Sequence, residues 1–434
     1  TAIKALLPAG AQTILLSAVM PNARAIGDWL MGDGAQVVNA SQLLPTARSV
    51  AFASWVERLG QLMFFESAAY LQPDFFVPRV IEQETLARRP REQKVRYFPA
   101  RKDSNDVALY LGVRLASHGA VAIFCGRKDT AFGMASRAVE VFDRECALAP
   151  PAASADPDEL RRMGYLVEGH FGAQAVLSRA ASLGIFVHHG TTPHGIRLSI
   201  EHAMQKGRIN FVACTSTLAQ GVNLPIRYLI VSGIHQGGER IAVRDFQNLV
   251  GRAGRSGMHT EGIVIFSDPD VYDKRYTETW RFDSSVEILS PDRSESTTSS
   301  LLGLLAPLRC DDDQGVPPLP TDVLCDLILS GEGRWLAWAN EVVRLYPRVR
   351  CEPRALVAEL QRRRRLIVAV ESYLMANRGT GSFEEFRGEA EQLATATLAY
   401  HLASDADKRA LKALFGSVAE YVHQLEPAPD KQAT

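Results

Sequence analysis

The chain has 434 residues, of which 46% are hydrophobic and 22% charged, and its formal net charge at pH 7 is −1. This length is more than one hydrophobic core supports, and it predicts two or three globular domains of ordinary composition. A net charge so near zero excludes a global basic field. Any contact with nucleic acid must therefore depend on local patches of Lys and Arg.

Targeting signals and cysteines narrow the class of protein further. We find neither a signal peptide nor an apolar run long enough to span a bilayer, which predicts a cytoplasmic protein with no membrane partner. The six cysteines are scattered, without a Cys-x-x-Cys pair or a His at metal-ligand spacing. We therefore expect no metal site and no disulfide framework, as in a reducing compartment.

The first 275 residues alternate β-branched runs with helical stretches, which predicts a parallel α/β sheet. Residues 11–20 read as a buried strand that leads into a helix over 22–30. Five further strands are predicted, over 120–125, 184–189, 209–215, 227–233 and 261–266. The aromatic and valine-rich stretch 48–81 predicts extra strands or a hairpin, and the basic, proline-interrupted stretch 86–102 predicts a linker.

Beyond residue 290 the pattern becomes helical. Residues 352–375 and 403–425 carry apolar side chains at helical spacing. Four consecutive arginines, 362–365, lie inside the first of these stretches. Four consecutive helical residues sweep most of the helix circumference, so a solvated face with one or two ion pairs is favoured over a nucleic-acid contact.

The segment "FVACTSTLAQGVNLP", residues 211–225, is the most specific one. A buried strand ends at Cys214 and turns through Thr215 and Ser216, where backbone N–H groups and hydroxyls can bind phosphate. Gly221 and Asn223 follow on a second turn, where a missing side chain allows a close approach. A plain N-capped helix after a strand explains this segment equally well on its own.

A second helix follows the strand predicted at 184–189. Thr192 is a good N-cap, Pro193 suits the first helical position and Gly207 suits the position after the helix. A buried stripe is predicted at Ile196, Ile200, Ala203 and Met204, and Arg197 projects away from it.

Two histidines, His188 and His189, fall at the end of that strand, where a ligand would bind. A structural role is the commoner one for such a pair, so its functional interpretation has about one chance in three.

The segment "QNLVGRAGRSG", residues 247–257, contains Arg252 and Arg255, each preceded by a glycine. This spacing suits a bidentate grip on a polyphosphate close to the backbone. Yet the 434 residues contain no glycine-rich phosphate loop ending in Gly-Lys-Ser/Thr. The chain also opens with Thr1 rather than Met, and we interpret it as a piece of a longer protein.

Five segments together carry a family resemblance. In order, they are "LLSAVMPN", "AVAIFCGRKDTA", "VHHGTTPHGIR", "TSTLAQGVNLP" and "QNLVGRAGR". They resemble motifs III, IV, IVa, V and VI of the DEAD/DEAH-box superfamily-two helicases, in the branch of Ski-type RNA helicases and archaeal Hel-type DNA helicases. The resemblance covers about residues 10–270. The segment 141–183, between motifs IV and IVa, is longer than a simple crossover needs.

The resemblance implies that ATP binds between two RecA-like domains. The first would supply the phosphate loop and hold Mg²⁺, and only its tail is present here. The second would supply Arg255 as the arginine finger, with Arg252 beside it and Gln247 organising the cleft. Gly221, Asn223 and Gly251 are the residues that face the nucleotide by the same resemblance.

The resemblance assigns a different set of residues to the nucleic acid and to domain coupling. The residues matched to the nucleic-acid backbone are Thr215, Ser216, His189, Thr192 and Arg197. Ser17 matches the motif III serine that couples the two domains.

The predicted fold class is α/β, with a RecA-like (P-loop NTPase type) parallel-sheet helicase C-terminal domain followed by an α-helical domain. The predicted domains are the tail of the first RecA-like domain (1–50), a β-rich extension and basic linker (51–100), the second RecA-like domain (101–280) and a helical domain (281–434).

The predicted function is the C-terminal part of an ATP-dependent helicase that moves 3′ to 5′ along single-stranded or partially duplex nucleic acid. DNA is favoured over RNA, and a monomer is expected. Without a phosphate loop, the chain by itself is expected to lack ATPase activity. The alternatives are a non-enzymatic nucleic-acid-binding or adaptor module and a duplex translocase that separates no strands.

Overall fold

The computed structural model describes residues 14–15, 20–32, 36–38, 47–57, 59–66, 70, 72–216, 224–236, 239–253, 261–308, 316–346, 351–379 and 381–425. These residues form two compact units. The sheet unit takes its residues from 15–21 and 39–295, and the helical unit takes its residues from 14, 22–38 and 296–425. No helix within these ranges is long and apolar enough to cross a membrane.

Strands of the sheet unit build one large sheet and two small ribbons. In chain order the strands are β1 (Ala47–Val56), β2 (Leu59–Phe65), β3 (Phe75–Glu82), β4 (Glu84–Leu86), β5 (Arg96–Phe98), β6 (Val121–Phe124), β7 (Phe186–His188), β8 (Phe211–Cys214), β9 (Tyr228–Val231), β10 (His235–Gln236), β11 (Glu239–Arg240) and β12 (Glu261–Phe266). The large sheet has the order β3-β2-β1-β12-β9-β6-β8-β7, and β4–β5 and β10–β11 form the ribbons.

Six neighbouring strands, β1-β12-β9-β6-β8-β7, are parallel to one another. β2 and β3 extend the sheet beyond β1 and are antiparallel. All residues of β6, β8 and β9 are buried, because helices cover both faces of the sheet. The structure confirms the five strands predicted between residues 120 and 266. The strand predicted over 11–20 lies almost wholly outside the described residues.

The stretch 48–81 forms β1, β2 and β3, which confirms the prediction of extra strands. Val50 of β1 aligns with Val264 of β12 on one side and with Phe65 of β2 on the other. β1 is therefore a strand of the main sheet, and the domain boundary predicted at residue 50 falls inside it. The predicted domain boundaries stay predictions.

The basic stretch predicted as a linker is fixed to the sheet unit. β4 pairs with β5, and Leu86 and Phe98 on these strands are buried. Arg144, itself buried, donates to Glu92 at 2.7 Å. Two apolar anchors and an ion pair thus hold this stretch.

Helices cover both faces of the sheet. They are α2 (Ser104–Leu115), α3 (Lys128–Asp143), α4 (Pro157–Phe171), α5 (Val176–Ser182), α6 (His194–Gln205), α7 (Val243–Val250), α8 (Pro269–Asp273) and α9 (Thr279–Glu287). One core contains side chains of α2 and α3, and the other contains those of α6 and α7. This three-layer arrangement is the predicted RecA-like α/β fold.

The helical unit contains α1 (Ala23–Met31), α10 (Thr321–Leu329), α11 (Trp335–Leu345), α12 (Pro353–Ala376), α13 (Phe383–Thr395), α14 (Leu398–Leu402) and α15 (Asp405–Gln424). Helices were predicted at α1, α12 and α15, and all three form. α1 packs on α14, and the indole of Trp29 donates to the carbonyl of Ala396 at 3.0 Å. Asn22 and Thr297 exchange two hydrogen bonds, of 2.8 and 3.0 Å.

The arginine run in α12 divides into exposed and buried members. Arg362 and Arg364 are exposed and pair with Glu359 and Glu332, as a solvated face predicts. Arg363 is only 4% exposed, and it donates to Glu359 and to three backbone carbonyls, those of Leu304, Ala306 and Pro307. The solvated-face interpretation is therefore wrong for Arg363, which is a core residue.

Four described cysteines are free, namely Cys125, Cys146, Cys214 and Cys325. Cys351 takes part in a disulfide bond, which the sequence did not predict.

Candidate nucleotide and nucleic-acid interface

Three neighbouring strands, β6, β8 and β7, end side by side at the carboxyl edge of the sheet. Cys214 at the end of β8 aligns with Phe124 of β6 and with His188 of β7. The N–H of Cys125 donates to the carbonyl of Cys214 at 2.7 Å, and the N–H of Thr215 donates to that of His188 at 3.2 Å. The segments that follow these strands therefore emerge together.

The first of the two histidines at the end of β7 has a structural role. The His188 ring is 1% exposed, and its Nε2 donates to a carboxylate oxygen of Glu201 at 2.7 Å. Glu201 lies on α6, so this buried contact ties β7 to the helix that carries Arg197. Such a satisfied polar pair fixes an element in place because breaking it would leave a buried group without a partner.

A tight turn, 189–192, joins β7 to α6. The N–H of Thr192 donates to the carbonyl of His189, and the Thr192 hydroxyl both accepts from the His189 N–H and donates to the Val187 carbonyl. The predicted N-cap is wrong by one position, because α6 begins at His194 with Pro193 as its N-cap. Thr192 is 8% exposed, and its hydroxyl is used inside the turn.

The rest of α6 agrees with the prediction made from the sequence. The four residues of the predicted stripe are buried. Gly207 follows the helix with a φ of +65°, a left-handed conformation that favours glycine. Arg197 is half-buried, its Nη2 lies 3.4 Å from His194 Nδ1, and its Nε is buried without a hydrogen-bond acceptor in the described part of the chain.

His189, the second histidine, is half-buried beside the turn. Its Nδ1 lies 3.1 Å from the Thr191 hydroxyl. Burial, and then the charge of His188 and Lys128, lower the pKa of His189 below its usual 6.5. The ring is therefore neutral at pH 7, and it can stack or form a hydrogen bond there without acting as a phosphate-binding cation.

A cavity of about 440 Å³ opens beside this turn. We call it the α3–α5 cleft. Its lining residues are Lys128, Asp129, Phe132, Phe171, Ala175, Val176, Leu177, His189, Thr191 and Thr192. The long segment between motifs IV and IVa contributes one wall, from Phe171 to Leu177. Phe132 and Phe171 were not predicted as site residues.

Residues 166–257 match the family model of the helicase conserved C-terminal domain. This range contains β7, α6, β8 and α7. The chain carries the C-terminal portion of a superfamily-two helicase. The match covers motifs IVa, V and VI, and it confirms the resemblance to the C-terminal portion of these helicases.

Relatives match part of this chain and a smaller share of their own length. The chain is 25% identical over 257 residues to the Hachiman protein HamB of Bacillus cereus, covering 59% of this chain and 22% of that protein. It is 31% identical over 138 residues to the ATP-dependent DNA helicase Hel308 of Aeropyrum pernix, covering 30% of this chain and 17% of that protein. The chain thus spans about a fifth of the length of these relatives.

Among solved structures, the DUF1998 helicase MrfA bound to DNA and AMPPNP matches part of this chain. The identity is 17% and the TM-score is 0.30, and the match covers 52% of this chain and 28% of that chain.

Residues 247–253 of motif VI lie on α7 and in the turn after it. Gly251 ends the helix, and its N–H donates to the carbonyl of Gln247 at 2.8 Å. Arg252 follows and is half-buried. Ala253 forms a parallel bridge with Ile226, so this turn of motif VI lies beside the segment that follows motif V.

Gln247 is buried, and its amide donates to the carbonyl of Ile288 at 2.8 Å. The side-chain nitrogen is thus committed to a contact inside the sheet unit, and the catalytic role of Gln247 stays a prediction. A second long-range side-chain contact lies at the beginning of α7. There the carboxylate of Glu295 accepts from the N–H groups of Val243 and Arg244 at 2.9 and 3.1 Å. Sequence reasoning missed Glu295 because it caps a helix about fifty residues before it.

Several predicted site residues lie outside the described residues, namely Ser17, Gly221, Asn223 and Arg255. Of the nucleic-acid set, the structure brings together His189, Thr192, Thr215, Ser216 and Arg197 around the ends of β7 and β8 and on α6. Thr215 and Ser216 are both half-buried. Their individual roles stay predictions.

Among the described residues, no group of three or more His, Cys, Asp or Glu side chains is arranged to hold a metal ion.

Proposed function

We propose that this chain is the strand-binding and arginine-supplying part of an ATP-dependent helicase that moves 3′ to 5′ along DNA. The observation that carries the proposal is the helicase C-terminal match over residues 166–257, within which motifs IVa and V follow adjacent strand ends. The similarity to the ATP-dependent DNA helicase Hel308 of Aeropyrum pernix supports DNA over RNA.

The strand-binding side would use the residues after β7 and β8. Thr215 and Ser216 carry hydroxyl groups at the end of β8, and Arg197 carries a cation on α6. Such donors contact phosphates and carry no sequence information, so they suit movement along any sequence. The His188–Glu201 pair would hold α6 at a fixed height above the strand ends while the bound strand moves.

The nucleotide side would use motif VI. The bridge between Ala253 and Ile226 keeps the turn with Arg252 next to the segment after motif V, which suits a ligand that both motifs contact. Bound ATP with Mg²⁺ would supply the free energy of hydrolysis. Arg252 and Arg255 would stabilise negative charge on the γ-phosphate from this side, and the first RecA-like domain of the complete protein would hold the metal.

An Arg255→Ala substitution in the complete protein tests this function. Hydrolysis stimulated by single-stranded DNA should fall by roughly 10³-fold, the usual effect of losing an arginine finger. Binding of the strand should persist. Arg161→Ala is the matched control, because that arginine lies on α4 with 64% of its side chain exposed.

Wild-type turnover by a folded Arg255→Ala protein would contradict the assignment of the arginine finger. A complete protein that binds strands but never hydrolyses ATP would instead favour an adaptor.

A further inference from the structure

We propose that the α3–α5 cleft receives one base of the bound single strand, in addition to the phosphate contacts of the helicase motifs. The inference rests on the proposed function, because it takes the strand to follow the ends of β7 and β8. His189, Thr191 and Thr192 line the cleft and also form the turn after β7. A strand on that turn would therefore pass the mouth of the cleft.

The walls of the cleft suit a flat aromatic ligand. Phe132 on α3 is 45% exposed and Phe171 at the end of α4 is 39% exposed, and Val176 and Leu177 add apolar surface. Leaving two phenyl rings in water is unfavourable, so such a pair commonly marks a binding surface. Bases of single strands stack on aromatic side chains without regard to sequence, since every base has a π-face.

The rim of the cleft carries the groups that a nucleotide needs. Lys128 is exposed, and no ion pair joins it to another residue in the described part of the chain. Its ammonium group can therefore contact the phosphate beside the base. The carboxylate of Asp129 can accept from an N–H group of a base, and the neutral ring of His189 can stack or form a hydrogen bond. Charge and chemistry thus favour a nucleotide over an acidic or purely apolar peptide.

The size of the cleft agrees with this ligand. About 440 Å³ is in the range of pockets for small molecules, which is room for one nucleoside and too little for a helix of a partner protein. One wall comes from the long segment between motifs IV and IVa, which the motifs do not explain. A base bound in the cleft would increase the affinity for the strand. The phosphate-directed motifs raise that affinity through contacts with the charged backbone.

The experiment compares two oligonucleotides of equal length, one with thymine bases and one with abasic residues on the same phosphate backbone. The complete wild-type protein should bind the thymine strand more tightly. A Phe132→Ala, Phe171→Ala double variant should lose roughly tenfold or more in affinity for the thymine strand. Its affinity for the abasic strand should stay unchanged. Tyr165→Ala is the matched control, because that ring is 71% exposed on α4 and does not line the cleft.

A conservative variant guards against a folding defect. Phe132→Tyr keeps the ring face and should keep the preference for the thymine strand. Equal wild-type affinity for the two strands would overturn the base-binding proposal while leaving the proposed function intact. An equal loss on both strands in the double variant would also overturn it. A wild-type protein that binds neither strand would contradict the proposed function itself.

Discussion

At the end of β7 two adjacent histidines differ sharply in their surroundings. His188 is buried against Glu201, whereas His189 is half-buried at the edge of the α3–α5 cleft with a lowered pKa. Because the two residues are identical and adjacent, the sequence alone does not distinguish their roles. The strand alternates its side chains between the two faces of the sheet, and the partner Glu201 lies on the following helix, so only the fold decides which ring is enclosed.

The pH dependence of stability should report on His189. Its folded pKa is below 6.5, so the unfolded chain binds the proton more readily as the pH falls. The contribution of this residue to stability is therefore complete above about pH 6.5 and decreases as the pH falls below that value. Thermal unfolding at pH 7.5 and 5.5 should show a smaller decrease in Tm for His189→Gln than for the wild type. The same decrease in both proteins would contradict the lowered pKa.

Secondary-structure elements were predictable wherever a local pattern determines them. The central strands are continuous apolar runs because helices cover both faces of the sheet, and α6 has a clear helical stripe. The errors arose where contacts outside the regular helical or strand pattern decide. Thr192 bonds to Val187 and His189 instead of capping α6, and Phe132 lies off the buried stripe of α3, where the sequence pattern gives it no role. Arg363 lies in a run of four arginines, so the sequence alone did not separate it from its exposed neighbours.

Within α12, Arg363→Met should be strongly destabilising. The substitution leaves the Glu359 carboxylate and three carbonyl oxygens without their buried donor, which costs about 3–5 kcal/mol. Arg362→Met is the matched control, since that exposed side chain should change stability by less than about 0.5 kcal/mol. Urea unfolding followed by circular dichroism would measure both. Similar effects of the two substitutions would mean that burial of Arg363 contributes nothing.

At the scale of the whole molecule, the helical unit is discontinuous in sequence. Residues 22–38 belong with 296–425, and 39–295 form the sheet unit between them. Hydrogen bonds from Asn22 and Trp29 reach residues 275 and 367 positions away. Contacts between residues so far apart in the chain produce no recognisable pattern in the local sequence. The sequence could therefore predict a helix at α1 but not its partner.

A chain that ends at Glu295 should lose the partners of α1 and keep the sheet unit. We expect limited proteolysis to cut 22–38 quickly in that shortened chain and to leave 47–295 largely protected, because both cores of the sheet unit lie within those residues. In the full chain the same sites around α1 should be protected. Equal protection of α1 in both chains would show that its contacts with Thr297 and Ala396 are dispensable.

This discontinuity also fixes an order of events on the ribosome. α1 is synthesised more than 260 residues before Ser296, the first residue of the segment that completes its unit. At about 5–20 residues per second, that delay is roughly 13–50 s. The hydrogen bonds of Asn22 with Thr297 and of Trp29 with Ala396 cannot form during that interval. The sheet unit meanwhile emerges whole and can complete its folding, so α1 is enclosed after a unit that is largely made later than it.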